Sequence, residues 1–170
     1  MPNYVTTRCT VVGLTAEVDA FWDQATGLDD DGHLQMDFEK ILPLPVDALT
    51  LDQGGEVVDL FRSGPSGPTG GGTWDEWRMK NWGTKWNASA LLVVSDDPLE
   101  FSFRTALGFP LQVFQGLACK FPTLTFEFVA FEESWWFAVK GCFNAGRGRA
   151  EYERCKATAE LYDEVYGAAE

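Results

Sequence analysis

Four of the seven tryptophans, Trp74, Trp77, Trp82 and Trp86, fall within thirteen residues and are interleaved with Arg78, Lys80 and Lys85. Indole faces stack on bases, and neighbouring guanidinium and ammonium groups meet phosphates or carboxylates. Gly83 and the Gly70–Gly72 run let backbone amides approach a ligand closely. Together these types fit the capture of a nucleotide-like anion. The candidate ligand-binding set is Trp74, Trp77, Arg78, Asn81, Trp82, Gly83, Thr84, Lys85, Trp86 and Arg104. A structural use competes with it. A buried indole removes roughly 150–250 Å² from water, so the tryptophans could equally plug the open face of a sheet.

The spacing Arg78, Trp82, Trp86 would place three side chains on one helical face, but Gly83 interrupts it, so a loop running into a strand near Ala90 is expected. Arg104 alternates with Phe101 and Phe103 and therefore lies on the other face of its strand. If an insertion covered that face, Arg104 would sit beneath the tryptophans; a surface ion pair is the alternative. A second basic group, Lys140, Arg147, Arg149, Arg154 and Lys156, surrounds Gly146 and Gly148. Its GRGR run lacks the GK[ST] of a phosphate-binding loop and reads as a solvated helix start, with an anion or partner contact as the alternative.

Catalytic patterns are missing. His33 is the single histidine, beside the charged turn Asp29-Asp30-Asp31-Gly32. There is no GxSxG, no HExxH and no Cys–His pair. The acidic turn fails as a calcium loop, since Gly27 and Phe38 would hold the first and twelfth positions. Glu132 and Glu133 are adjacent, so on a strand they point apart and make a poor acid/base pair. Cys9, Cys119, Cys142 and Cys155 show no zinc spacing and read as free thiols. The motifs favour binding over enzyme chemistry, with no cofactor and no metal.

The net charge is −13, and residues 1–62 alone hold 3 basic and 12 acidic side chains. Such a field disfavours duplex nucleic acid, whose binding relies on cations meeting phosphates. It is compatible with basic protein partners, including those that hold nucleic acid, and also with simple solubility. No apolar run reaches the length of a membrane helix, and the opening MPNYVTTRCTVVG lacks a basic leader followed by an apolar stretch. A cytoplasmic protein is expected.

The elements that would position these groups follow from periodicity. Residues 4–12 alternate as a strand, and Val18, Phe21, Trp22 and Ala25 mark one face of a helix that Thr15 could cap and Gly27 stop. Leu34, Met36 and Phe38 alternate as a second strand. SGPSGPTGGGT, residues 63–73, has no side chain able to pack a core and reads as a loop. Strands follow at Ala90–Val94 and Glu100–Leu107, then a helix carrying Phe114, Leu117, Ala118 and Phe121. A hairpin spans Leu124–Phe128 and Trp135–Phe143 around Glu132-Glu133-Ser134. From about Arg149, Tyr152, Cys155, Ala159, Tyr162 and Tyr166 mark a last helix. One domain, 1–170, is expected: an α+β, ferredoxin-like antiparallel sheet with helices on one face, an insertion at about 43–88 and an appended helix at about 149–167.

Several segments also occur together in a known family. They are Met1-Pro2-Asn3, Phe38-Glu39-Lys40-Ile41 with Pro43 and Pro45, Trp77-Arg78, Asn81-Trp82-Gly83-Thr84-Lys85-Trp86, Phe103-Arg104-Thr105-Ala106, and Phe121-Pro122 with Leu124 and Phe126. In that order, over roughly residues 1–141, they resemble the YubB-like ferredoxin-fold family of phage and plasmid proteins. The chain departs at Tyr4-Val5, where that family has Trp and Cys, and at Leu107–Pro110, where it has Trp and a Pro pair. The resemblance implies the fold and a mobile-element origin, and no defining enzyme activity. The expected role is interference with a host defence system from the host cytosol. It would act by capturing a nucleotide-like ligand at the tryptophans, or by presenting an acidic surface around Asp29, Asp30 and Asp31 to a basic site on a host protein. The Tyr-rich last helix leaves a homodimer open.

Overall fold

The computed structural model describes residues 2–43, 49–51, 57–59 and 74–167. The Gly/Pro-rich stretch 63–73 lies outside them. The described elements are β1 (Tyr4–Val12), α1 (Thr15–Ala25), β2 (Thr26–Leu28), β3 (Leu34–Met36), α2 (Phe38–Ile41), β4 (Leu49–Leu51), β5 (Val57–Asp59), α3 (Trp74–Asn81), β6 (Ser89–Asp96), β7 (Leu99–Ala106), α4 (Leu111–Lys120), β8 (Thr125–Glu132), β9 (Ala138–Asn144), β10 (Arg149–Cys155) and α5 (Ala159–Tyr166). The protein is α+β. Six strands form one antiparallel sheet in the order β10-β9-β8-β1-β7-β6. Two short ribbons, β2-β3 and β4-β5, form separate two-stranded sheets.

β1 lies inside the sheet, paired with β7 and β8. Its alternation sorts the whole sheet into two faces. Val5, Thr7, Cys9 and Val11 are buried on the first face. Cys9 stands opposite Phe101 on β7 and Phe128 on β8, so Phe101, Phe103, Phe126 and Phe128 share that face. α1 packs there through Phe21, whose ring lies 5.3 Å from Phe126 and 6.2 Å from Phe101. α4 joins it through Phe114, 4.8 Å from Phe128 and 6.3 Å from Phe103. Edge-to-face and offset contacts of this kind add to the large areas the rings bury. The second face carries Tyr4, Thr6, Arg8 and Thr10.

Residues 149–155 correct the sequence expectation. They form a strand, and the last helix starts only at Ala159. The Tyr152, Cys155, Ala159 spacing fits a helix, but the alternation Arg149, Glu151, Glu153 fits an outer strand equally. The open edge of β9 decides between them, because pairing there satisfies a row of backbone groups. A tight turn prepares the pairing: Asn144 accepts from the Arg147 amide at 3.0 Å, and Gly148 turns the chain with φ +67°. α5 is capped by Thr158, whose Oγ1 accepts from Leu161 N, and docks on the second face. There Leu161 and Val165 pack with Phe131, Ala138 and Ala157.

Smaller corrections lie near α1. Leu14, not Thr15, precedes the helix, and its carbonyl accepts from Glu17 and Val18. The helix ends at Ala25, where the Thr26 hydroxyl donates to the Trp22 carbonyl at 2.7 Å, before Gly27 is reached. Phe38 begins α2 rather than ending a strand, because Asp37 accepts from Glu39 N and caps that turn.

Gly141 offers a test of the β8-β9-β10 packing. A Cβ there would meet the Phe128 ring at 2.6 Å and also the Glu151 carbonyl. Gly141→Ala is expected to destabilise the fold by about 1–3 kcal/mol, as overpacked cores do, in urea unfolding.

Candidate functional site

The tryptophan segment is helical where the sequence suggested a loop. α3 runs from Trp74 to Asn81, and Trp82 N and Gly83 N both close on the Arg78 carbonyl, at 2.7 and 3.1 Å. Gly83, at φ +83°, stops the helix instead of disrupting it. Its lack of a side chain is also used: a Cβ would lie 2.7 Å from the Phe109 carbonyl oxygen.

Most of the candidate ligand set is already committed to structure. Trp82 is fully buried, edge-on to Phe38 at 5.7 Å and to Trp77 at 6.0 Å. Its indole N–H donates to the Leu42 carbonyl at 2.9 Å. Arg78 lies over the Trp82 ring at 5.6 Å, and the Asn81 amide donates to the Trp77 carbonyl at 2.9 Å. Thr84 is buried and donates to the Ala106 carbonyl at 2.8 Å. Lys85 and Trp86 reach the surface as a pair, with Nζ 5.1 Å from the ring centre and Trp86 40% exposed. Of Trp74 only the backbone is described. Arg104 is not beneath the tryptophans. Phe103 points to Phe38 and thence to Trp82, so Arg104, its neighbour on β7, lies across the sheet, stacked on Tyr4 at 4.4 Å.

The second sheet face holds an arrangement that no single segment announces. Register places Glu100, Thr10, Glu127, Cys142 and Glu151 in one row across β7, β1, β8, β9 and β10. The next row contains Ser102, Arg8, Val129, Lys140 and Glu153. With strands about 4.8 Å apart, carboxylates on every second strand stand about 10 Å apart. α5 borders these rows: Arg8 donates to the Glu164 carbonyl, and the Tyr166 hydroxyl donates to Thr6 at 3.0 Å. The result is a trough of about 1010 Å³.

Six carboxylates line it, from Glu100, Glu127, Glu151, Glu153, Asp163 and Glu164, against the cations of Arg8, Lys140 and Arg149. Each cation has an acid partner already. Arg8 pairs with Glu100, Lys140 with Glu153 at 3.5 Å, and Arg149 with Glu151 through two hydrogen bonds of 3.0 Å. The Arg149 bonds hold the Glu151 carboxyl below its usual range, and Glu151 in turn raises Arg149. Glu127, Asp163 and Glu164 form no ion pair among the described residues. Cys142 is buried at the trough floor, and burial pushes its thiol up despite the opposing charge of Arg149. It is therefore a neutral lining group, not a nucleophile.

The sequence places the β8–β9 hairpin tip at Glu132-Glu133-Ser134, but does not show the use to which Glu132 is put there. Glu132 is 3% exposed, and its Oε2 accepts from Ser134 N at 3.0 Å and Trp136 N at 3.1 Å. Trp135, at φ +64°, stacks on Tyr162 with ring centres 5.4 Å apart, and Trp136 is left 81% exposed. The Asp29 turn is shaped by its own hydrogen bonds, with Oδ1 accepting from Asp31 N at 3.0 Å and His33 N at 2.8 Å. The His33 amide is the main reason the Asp29 carboxyl sits below its usual range. Asp30, Asp31 and His33 are exposed.

No protein-family model matches the chain, and no curated protein matches it. Among solved structures, the crystal structure of api92, a DUF1281 protein from Yersinia pseudotuberculosis, is similar to it with a TM-score of 0.60. The match covers 93% of this chain and 99% of that one at 10% identity, which shows a shared fold.

Two measurements separate packing from surface roles. Trp82→Ala is expected to cost about 3–5 kcal/mol in chemical denaturation, whereas Trp86→Ala stays within about 0.5 kcal/mol. The fully buried Cys9 thiol is raised well above its ordinary value, first by burial and then by Glu127, Cys142 and Glu100. A raised folded-state value means that its contribution to stability is complete below the unfolded thiol value of about 8.5 and is lost as pH rises beyond it. Stability should therefore fall above about pH 8.5, and Cys9→Ala should flatten that fall. An unchanged alkaline slope in the variant would remove Cys9 as its source.

Proposed function

We propose that this chain is a non-enzymatic binding protein whose acidic second sheet face engages a basic partner, shielding a surface that otherwise holds nucleic acid. The observation that carries the reading is the trough, where every lining cation is already paired and Glu127, Asp163 and Glu164 form no ion pair among the described residues. Unmatched carboxylates above a closed sheet attract cations at long range and steer association. The net charge of −13 extends the same field over the rest of the molecule. The exposed acids of the Asp29–Asp31 turn belong to it as well. No nucleophile–base pair stands in the trough, and its thiol is held protonated.

The resemblance to YubB-like proteins supports a phage- or plasmid-type accessory role, directed at a host defence component in the host cytosol. The order β8-β1-β7-β6, with α1 and α4 on one face, supports reading those elements as a split βαβ, ferredoxin-like unit, to which β9, β10 and α5 are additions. Capture of a nucleotide-like anion is the second reading. It now rests on the surface pair Lys85–Trp86, because Trp82 has no free edge to offer.

The test is native mass spectrometry of the protein isolated from host cells, followed by denaturation to release any small molecule. The expected result is a co-purifying basic protein that dissociates as salt is raised and is absent from a Glu127→Lys, Asp163→Lys, Glu164→Lys variant. Release of a stoichiometric nucleotide, lost in Trp86→Ala, would replace this reading with capture.

A further inference from the structure

The trough has a shape that narrows the partner. The first face of the sheet is covered by α1 and α4, while among the described elements the second carries α5. α5 reaches from the Cys155 side of the sheet to β1, where Tyr166 meets Thr6. The row Glu100, Thr10, Glu127, Cys142, Glu151 runs beside it, with Glu127 and Glu151 exposed. Resting on the basic-partner reading above, we propose that the trough is the seat of a basic amphipathic helix from the partner, lying alongside α5.

Three features point to a helix rather than an extended segment. The floor is the flat of β1, β8 and β9, each paired on both sides, so their backbone donors and acceptors are already used. An occupant must satisfy its own backbone, which a helix does and an extended chain does not. The volume of about 1010 Å³ also fits. A helix about 10 Å across with a pitch of about 5.4 Å fills roughly two turns of such a trough. Finally, Glu100, Glu127 and Glu151 stand on alternate strands at intervals of about 10 Å. Side chains at i and i+7 of a helix recur every 10.5 Å or so, so one basic stripe at i, i+7 and i+14, running beyond the two turns that the trough itself encloses, can meet all three. The same helix would place a second stripe toward Asp163 and Glu164 on α5, within the usual spacing of about 8–10 Å between packed helices.

Charge complementarity sets the sign of the stripe. Glu127 is the central contact, because its two row-mates Glu100 and Glu151 share their charge with Arg8 and Arg149. A Lys or Arg above Glu127 supplies the partner it lacks, and the stem of that side chain covers Val129 and Cys142.

The experiment uses fluorescently labelled peptides of about 18 residues and identical net charge. One carries Lys and Arg at i, i+7 and i+14 on an alanine-rich background, one is a scramble without the stripe, and one places prolines to forbid a helix. Anisotropy gives affinity, and circular dichroism reports helix gained on binding. The striped peptide is expected to bind with a gain of helix, at least tenfold more tightly than the other two, and to lose at least tenfold with Glu127→Lys. Asp163→Lys, on the exposed side of α5, is the second variant should Glu127→Lys not fold. If the proline peptide binds equally well and is lost with Glu127→Lys, the helix is wrong and the basic-partner reading stands. If no peptide binds, or neither variant weakens binding, the trough is not a basic-partner site and both fall.

Discussion

β1 is paired on both edges, and this makes its alternation binding on the strands around it. A slip of one residue would exchange Cys9 and Val11 for Arg8 and Thr10 on the packed face, an exchange the register forbids at once on β7 and β8. Phe101 and Phe103 of β7 and Phe126 and Phe128 of β8 are thereby committed to α1 and α4, while Phe131 turns to α5. Their charged neighbours are committed to the other side. The acidic trough is the complement of the aromatic core, generated by the same pairing. Its floor on β1, β8 and β9 is built on strands paired on both sides, so the chemistry there belongs to side chains alone, while the edge strand β10 forms its rim.

The tryptophans illustrate how the two faces divide labour. Their clustering invites a ligand site, yet Trp82 closes the aromatic core near Phe38 and Phe103, with its one polar atom satisfied by Leu42. Gly83 and Gly108 approach each other there so closely that a side chain on Gly108 would strike the Gly83 carbonyl. The segment that looks most like chemistry is therefore largely a structural seal. The segments that form the trough look ordinary one at a time.

Much of the fold was legible. β1, α1, β7, α4 and the β8–β9 hairpin follow from alternation or from i, i+3, i+4 spacing within a single window. What failed was decided between windows. Arg149–Cys155 carries both periods, and only the free edge of β9 makes it a strand. α3 was obscured because Gly83 reads equally as a breaker and as a stop. Arg104 was correctly assigned to the face away from Phe103, but which face α3 and Trp82 would cover depends on tertiary packing. The trough was the least legible, because Glu100, Glu127 and Glu151 become neighbours only through register. The buried Glu132 that organises the exposed Trp136 was equally hidden, since nothing local shows that its carboxylate turns inward to bind amides.

The central claim is that the second sheet face, bordered by α5, is the working surface. Carboxylate footprinting tests it most directly, by modifying accessible acids with a carbodiimide and an amine in the presence and absence of the striped basic peptide. Protection should concentrate at Glu127, Asp163 and Glu164, with the exposed Asp30 and Asp31 as reactive as before. Undiminished labelling of Glu127, with protection at the Asp29–Asp31 turn instead, would contradict the account and move the binding surface to the other end of the acidic field.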